Sequence, residues 1–172
     1  LDFPFFQVES EKDFTFTLDT IIGALDEFKP SLFFLSNPQN PTGQQFSEEF
    51  LQILADETAD RDITFVIDEA YIEFGQDYQR PDNDNVLFIR TLSKIYGVAG
   101  LRVGIAFGQG PRFDKLKEIN HPYPMNSVSL NLASKLFEDT KRLDEWVNYQ
   151  RDIKQELQEA FDQVVDLVTV IP

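Results

Sequence analysis

The chain has 172 residues, 42% of them hydrophobic and 17 of them phenylalanine, which is enough for one well-buried domain and too apolar for a disordered one. Thirty acidic residues against fifteen basic ones leave a formal charge of −15, which repels nucleic acid and anionic membranes, and the absence of cysteine removes disulfides and thiolate metal sites. No apolar run reaches the length of a membrane span, and LDFPFFQVESEKDF lacks the basic and apolar regions of a signal peptide, so a soluble, cytoplasmic protein without nucleic-acid or membrane partners is expected.

In chain order, the first periodic segment is residues 18–28, where Leu18, Ile21, Ile22, Leu25 and Phe28 recur at helical spacing before Lys29-Pro30 ends the run. SLFFLS (31–36) reads as a buried strand and NPQNPTG (37–43) as a loop dense in turn residues. Ser47 is a helix N-cap, with Glu48 and Glu49 favourable in the first turn and Phe50, Leu51, Leu54 and Ala55 facing inward. ITFVID (63–68) is a second buried strand. Residues 76–85, rich in Asp and Asn and holding Pro81, read as a surface loop before VLFIRT (86–91). VGIAFG (103–108) repeats the strand pattern after a glycine-punctuated stretch around Lys94. From Pro111 the sequence turns helical: PRFDKLKEI, then NSVSLNLASKLFED, then an amphipathic stretch carrying Leu143, Trp146, Val147, Ile153, Leu157, Phe161 and Val164. This order predicts an α/β fold, a three-layer α/β/α sandwich with a mostly parallel sheet covered on both faces and a long amphipathic helix at the end. Ligand groups in such a fold sit on the loops beyond strand C-termini.

Several reactive side chains fall at those strand ends. Lys94 lies in TLSKIYGVAGLRVG (91–104), between two buried strands and eight positions before Arg102, a setting for an amine that is partly desolvated or held near positive charge and so able to condense with an aldehyde. Alone, a loop lysine is more often a solvated surface group. Asp68 follows ITFVI directly, where a carboxylate is costly unless it is hydrogen-bonded or paired with a cation such as a protonated pyridine nitrogen. Its bland alternative is a carboxylate capping a turn, and Glu69 beside it reads as structural. Asn40 and Tyr71 offer hydrogen bonds to a ring oxygen, though a turn Asn and a packed Tyr are common. Thr91, Ser93 and Arg102 offer hydroxyls and a bidentate fork to a phosphate. The combined set matches the needs of pyridoxal 5'-phosphate. No metal site is expected.

The three segments NPQNPTG, VIDEAYIEF and TLSKIYGVAGLRVG, in that order, resemble the fold-type I pyridoxal-phosphate enzymes of aminotransferase classes I and II, most closely those acting on histidinol phosphate. The resemblance covers nearly the whole chain. It implies that Lys94 is the cofactor-linked lysine and proton-transfer base, Asp68 the partner of the pyridine nitrogen, Asn40 and Tyr71 the ligands of the ring oxygen, and Thr91, Ser93 and Arg102 the phosphate ligands. Lys94, Asp68 and Tyr71 are thereby the expected catalytic groups. It also implies a homodimer, with Tyr123 and Asn126 of HPYPMN as weaker candidates for contact with the partner's site; His121, with no second histidine to work with, reads as a structural loop histidine. The implied reaction is transamination between an amino compound, histidinol phosphate, and the 2-oxo acid 2-oxoglutarate, within histidine biosynthesis. Two alternatives are decarboxylation of a phosphorylated amino acid and the aminotransferase-like effector domain of a transcription regulator. Residues 1–172 then correspond to part of the cofactor-binding large domain. Members of the family carry an N-terminal segment and a C-terminal small domain that are expected to be missing from this stretch, leaving it inactive by itself with an exposed apolar stripe on its last helix.

Overall fold

The computed structural model describes residues 3–119, 125–164 and 167. Helix α1 spans Leu18–Phe28, begins with the Thr17 hydroxyl accepting from the Thr20 amide, and ends at Lys29 in the left-handed conformation. Strand β1 (Leu32–Ser36) follows, then α2 (Glu48–Asp60), capped by Ser47 accepting from the Phe50 amide. Strand β2 is Thr64–Asp68, β3 is Val86–Thr91 and β4 is Gly104–Gly108. Short 3-10 turns at Ile72–Phe74 and Ala99–Leu101 follow β2 and precede β4. Helices α3 (Gly110–Glu118), α4 (Ser127–Glu138) and α5 (Thr140–Asp162) complete the order.

The strands form one sheet in the order β1-β2-β3-β4. The pairs β1·β2 and β2·β3 are parallel, whereas β3·β4 is antiparallel. Parallel pairing requires a crossover, and the α2 segment supplies it between β1 and β2. The core lies on the α1 and α2 side, where Ile21, Leu25, Leu51 and Leu54 meet Phe33, Phe65, Ile67 and Phe88. Fully burying each such side chain contributes about 1.5–3 kcal/mol, so the alternation along each strand selects the face that turns inward. The Phe33 and Phe65 rings stack at 5.2 Å across the β1·β2 pair.

The opposite face is only partly covered. Val66 and Leu87 are buried there, but Leu32 and Phe34 are exposed, against the expectation of a sheet filled on both sides. Helix α5 likewise buries no residue completely, and Trp146, Tyr149, Leu157 and Phe161 are exposed, in line with the expected apolar stripe. The segment 76–85 departs from its reading as a surface loop: Pro81 and Asn85 are buried and Tyr78 and Arg80 are partly so. The Asn85 amide donates to the Thr58 hydroxyl at 2.9 Å and to the Ile63 carbonyl at 3.2 Å, which pins the loop beneath α2. Asp and Asn content signals a turn but does not reveal such long-range partners.

Candidate functional site

Parallel pairing places the C-terminal ends of β1, β2 and β3 side by side. Ser36 pairs with Asp68, and Asp68 pairs with Ile89. The ladder runs one step further, with the Asn37 amide donating to the Asp68 carbonyl and the Glu69 amide to the Ile89 carbonyl, each at 2.8 Å. Asp68 is half-buried at this edge, and its Oδ1 accepts from the Ala70 amide at 3.0 Å, which closes the chain into a turn toward Tyr71. No other side-chain hydrogen bond or ion pair engages the Asp68 carboxylate among the described residues.

Thr91 ends β3, and its hydroxyl accepts from the Ser93 amide at 3.1 Å, turning the chain into the Lys94 loop. Leu92, Val103 and Ala133 form a small second core beneath that loop, with Tyr96, Val98 and Leu101 against it. Gly97 takes φ +67°, a conformation that side chains rarely adopt, and its amide donates to the Lys94 carbonyl. Lys94 itself is exposed rather than partly desolvated. Its amine makes no ion pair among the described residues and lies 5.0 Å from the centroid of the Tyr71 ring, within cation–π range. Arg102 sits in the left-handed region at φ 55°, and its guanidinium donates to the Ala99 carbonyl at 3.3 Å while remaining exposed.

The structure therefore brings Lys94 to Tyr71 and sets Asp68 and Thr91 on neighbouring strands. Asn40 is exposed in its loop, and none of its side-chain atoms takes part in a hydrogen bond among the described residues. Asn126 is engaged as the N-cap of α4, where it accepts from the Ser129 amide at 2.8 Å and donates to its hydroxyl at 2.9 Å. His121 and Tyr123 lie outside the described residues. Two concavities are found elsewhere: one of about 430 Å³ between β4 and α4, and one of about 790 Å³ between the loop after Lys94 and the α4–α5 pair. Neither is lined by Asp68, Lys94 or Arg102. The strand-end groups lie outside both concavities.

Sequence reasoning missed the charged network behind this edge. The Glu69 side chain is fully buried and accepts from the Tyr78 hydroxyl at 2.6 Å, from Arg80 at 2.6 and 2.9 Å, and from Arg90 at 2.6 Å. Burial alone would raise its carboxyl pKa, but the bonds from Arg80, Tyr78 and Arg90 outweigh that and hold it below the ordinary value of 4.5. The same burial, with the Glu69 charge, pushes the Tyr78 phenol upward. The only sequence signal was a second carboxylate immediately after a buried strand.

The family described as Aminotransferase class I and II matches this sequence over residues 2–171. The chain belongs to that family. Among curated aminotransferases of the family, the histidinol-phosphate aminotransferase of Caldanaerobacter subterraneus subsp. tengcongensis is 34% identical over 160 residues, covering 91% of this chain and 44% of that protein. The histidinol-phosphate aminotransferase of Haloferax volcanii is 32% identical over 161 residues, with coverages of 91% and 44%. The chain thus spans less than half the length of these curated relatives. Among solved structures, histidinol-phosphate aminotransferase from Sinorhizobium meliloti in complex with pyridoxal-5'-phosphate superposes with a TM-score of 0.67 at 26% identity, covering 80% of this chain and 39% of that one. A decarboxylase from Sulfurospirillum multivorans superposes with a TM-score of 0.73 at 26% identity, covering 90% and 47%.

Proposed function

We propose that this chain carries the pyridoxal 5'-phosphate site of a dimeric, cytoplasmic aminotransferase that exchanges an amino group between histidinol phosphate and 2-oxoglutarate. The observation that carries the reading is the unpaired Lys94 amine over the Tyr71 ring, on the sheet edge where Asp68 and Thr91 end. The donor set fits the cofactor: a free primary amine, a carboxylate with one oxygen unengaged, two hydroxyls and a guanidinium. Likeness to histidinol-phosphate aminotransferases supports the choice of substrates.

When bound, the cofactor supplies a ring that draws electrons from the carbon bearing the substrate's amino group. The protein's own contribution is binding, charge and proton movement. Asp68 would accept a hydrogen bond from the ring N–H and keep that nitrogen protonated. The Tyr71 hydroxyl and the Asn40 amide would donate to the ring oxygen. Thr91, Ser93 and Arg102 would hold the phosphate through charge-assisted bonds. The Lys94 amine would hold the cofactor covalently and, once released by substrate, carry a proton between neighbouring atoms.

Incubation with pyridoxal 5'-phosphate, borohydride reduction and peptide mass mapping should leave the phosphopyridoxyl mass on Lys94. A label on Lys12, Lys115 or Lys135 with Lys94 unmodified would reject the assignment. Likeness to the Sulfurospirillum decarboxylase supports a second reading, decarboxylation with the same cofactor residues. Assaying the full-length protein for glutamate formation from histidinol phosphate and 2-oxoglutarate, beside carbon dioxide release from phosphorylated amino acids, separates the two.

A further inference from the structure

The Lys94 loop and the Asp68–Tyr71 turn come from different parts of the chain, and the Lys94 amine depends on both for its place over the Tyr71 ring. The Tyr96 hydroxyl donates to Glu73 Oε1 at 2.9 Å. Tyr96 follows Lys94 by two residues, and Glu73 follows Tyr71 by two, so this one bond joins the same two segments that carry the cation–π pair. Arg90 reinforces it, lying 2.6 Å from Glu69 and 3.8 Å from Glu73. Both segments are also braced by α5: the Trp146 indole donates to the Ile95 carbonyl at 2.6 Å, and Arg151 donates to the Glu73 carbonyl at 2.7 Å. The Tyr96 ring packs edge-on against Phe137 at 5.7 Å, so its position does not depend on the hydroxyl alone.

We infer that the Tyr96–Glu73 hydrogen bond is a positioning device that holds the Lys94 amine over the Tyr71 ring. The bond is placed to carry that role. Burial, followed by the Glu73 charge and its hydrogen bond, pushes the Tyr96 phenol up to about 12, so the hydroxyl stays protonated and donating across the physiological range. The same Glu73 Oε1 that accepts from Tyr96 lies 3.8 Å from the Arg90 guanidinium, so both groups hold one carboxylate oxygen. Without the bond, the loop from Lys94 to Gly97 keeps its own internal contacts but loses its direct side-chain tie to the turn that carries Tyr71. The consequence for catalysis rests on the proposed role of Lys94.

Two measurements test the inference. The first needs no cofactor: competitive acetylation of the cofactor-free full-length protein compares Lys94 with Lys115, an exposed lysine of α3. An amine held against the Tyr71 ring is less free to meet the reagent, and losing that contact should raise Lys94 acetylation relative to Lys115 by about threefold in Tyr96→Phe. Glu73→Gln, which keeps an acceptor for the hydroxyl, should stay at the parent ratio, whereas a purely packing role for Tyr96 would leave both variants there. The second measurement uses the loaded full-length enzyme, in which Tyr96→Phe should lower kcat about tenfold with KM unchanged, the signature of a misplaced reacting group. An unchanged acetylation ratio or an unchanged kcat in Tyr96→Phe overturns the inference. Should Tyr96→Phe fail to fold, Glu73→Leu breaks the same bond from the other side and is read identically. Failure of borohydride to label Lys94 in the parent would instead overturn the cofactor assignment, and the acetylation ratio would still judge the Tyr96–Glu73 bond.

Discussion

Replacing Glu69 with glutamine conserves shape while removing the charge on which three side chains converge. In the folded protein the carboxylate accepts one bond from Tyr78, two from Arg80 and one from Arg90. A glutamine there presents an NH2 group toward donors and leaves both guanidiniums short of countercharge. Breaking a buried ion pair from one side costs about 3–5 kcal/mol. Arg80 and Arg90 remain 35% and 32% exposed, so water recovers part of the loss and the low end applies, about 3 kcal/mol. For a chain of this length that corresponds to a fall in Tm of about 6–12 °C. The assay is thermal and urea unfolding of parent and Glu69→Gln, followed by circular dichroism at neutral and acidic pH. The sign with pH follows from the depressed folded pKa of Glu69. Its contribution is complete above the unfolded value of 4.5 and is lost as pH falls from there through the lower folded value. The gap between parent and variant should therefore be full at pH 7 and close in acid. A variant within about 0.5 kcal/mol of the parent at pH 7, the range of ordinary surface changes, would refute the reasoning, as would a gap that does not narrow on acidification.

The remaining predictions concern the proposed site in the full-length enzyme. Asp68→Ala should depress turnover far more than cofactor content, because the carboxylate's proposed task is to keep the ring nitrogen charged; unchanged turnover at saturating cofactor would remove Asp68 from the mechanism. Arg102→Lys should weaken cofactor binding by about tenfold in equilibrium dialysis, since a point charge replaces a bidentate fork, and an unaltered Kd would take Arg102 out of phosphate binding.

Local structure was legible in the sequence wherever its causes lie within a few residues. Helix α1 occupies the span that its apolar spacing and Lys29-Pro30 stop define, Ser47 caps α2, and VLFIRT is β3 from its first residue to its last. Capping, periodicity and turn chemistry are short-range effects, so a linear reading reaches them. The alternation of these elements also announced a mostly parallel sheet, and with it the strand-end placement of Asp68 and Thr91.

Tertiary structure alone decided what crosses between segments. Residues 76–85 carry the composition of a surface loop, yet Tyr78 and Arg80 turn inward to meet Glu69, and Asn85 is held beneath α2 by Thr58 and Ile63. Lys94 is exposed, although its flanking strands predicted partial desolvation, because burial belongs to Leu92 and Val103 beneath the loop and not to the loop's rim. The second face of the sheet is half bare because covering it takes apolar surface from elsewhere, which no strand's own pattern contains. The Tyr96–Glu73 bond and the cation–π pair are equally invisible along the chain. A residue's type states which partners it can satisfy, and only the packing of the sheet, its loops and α5 brings one of them within hydrogen-bonding distance.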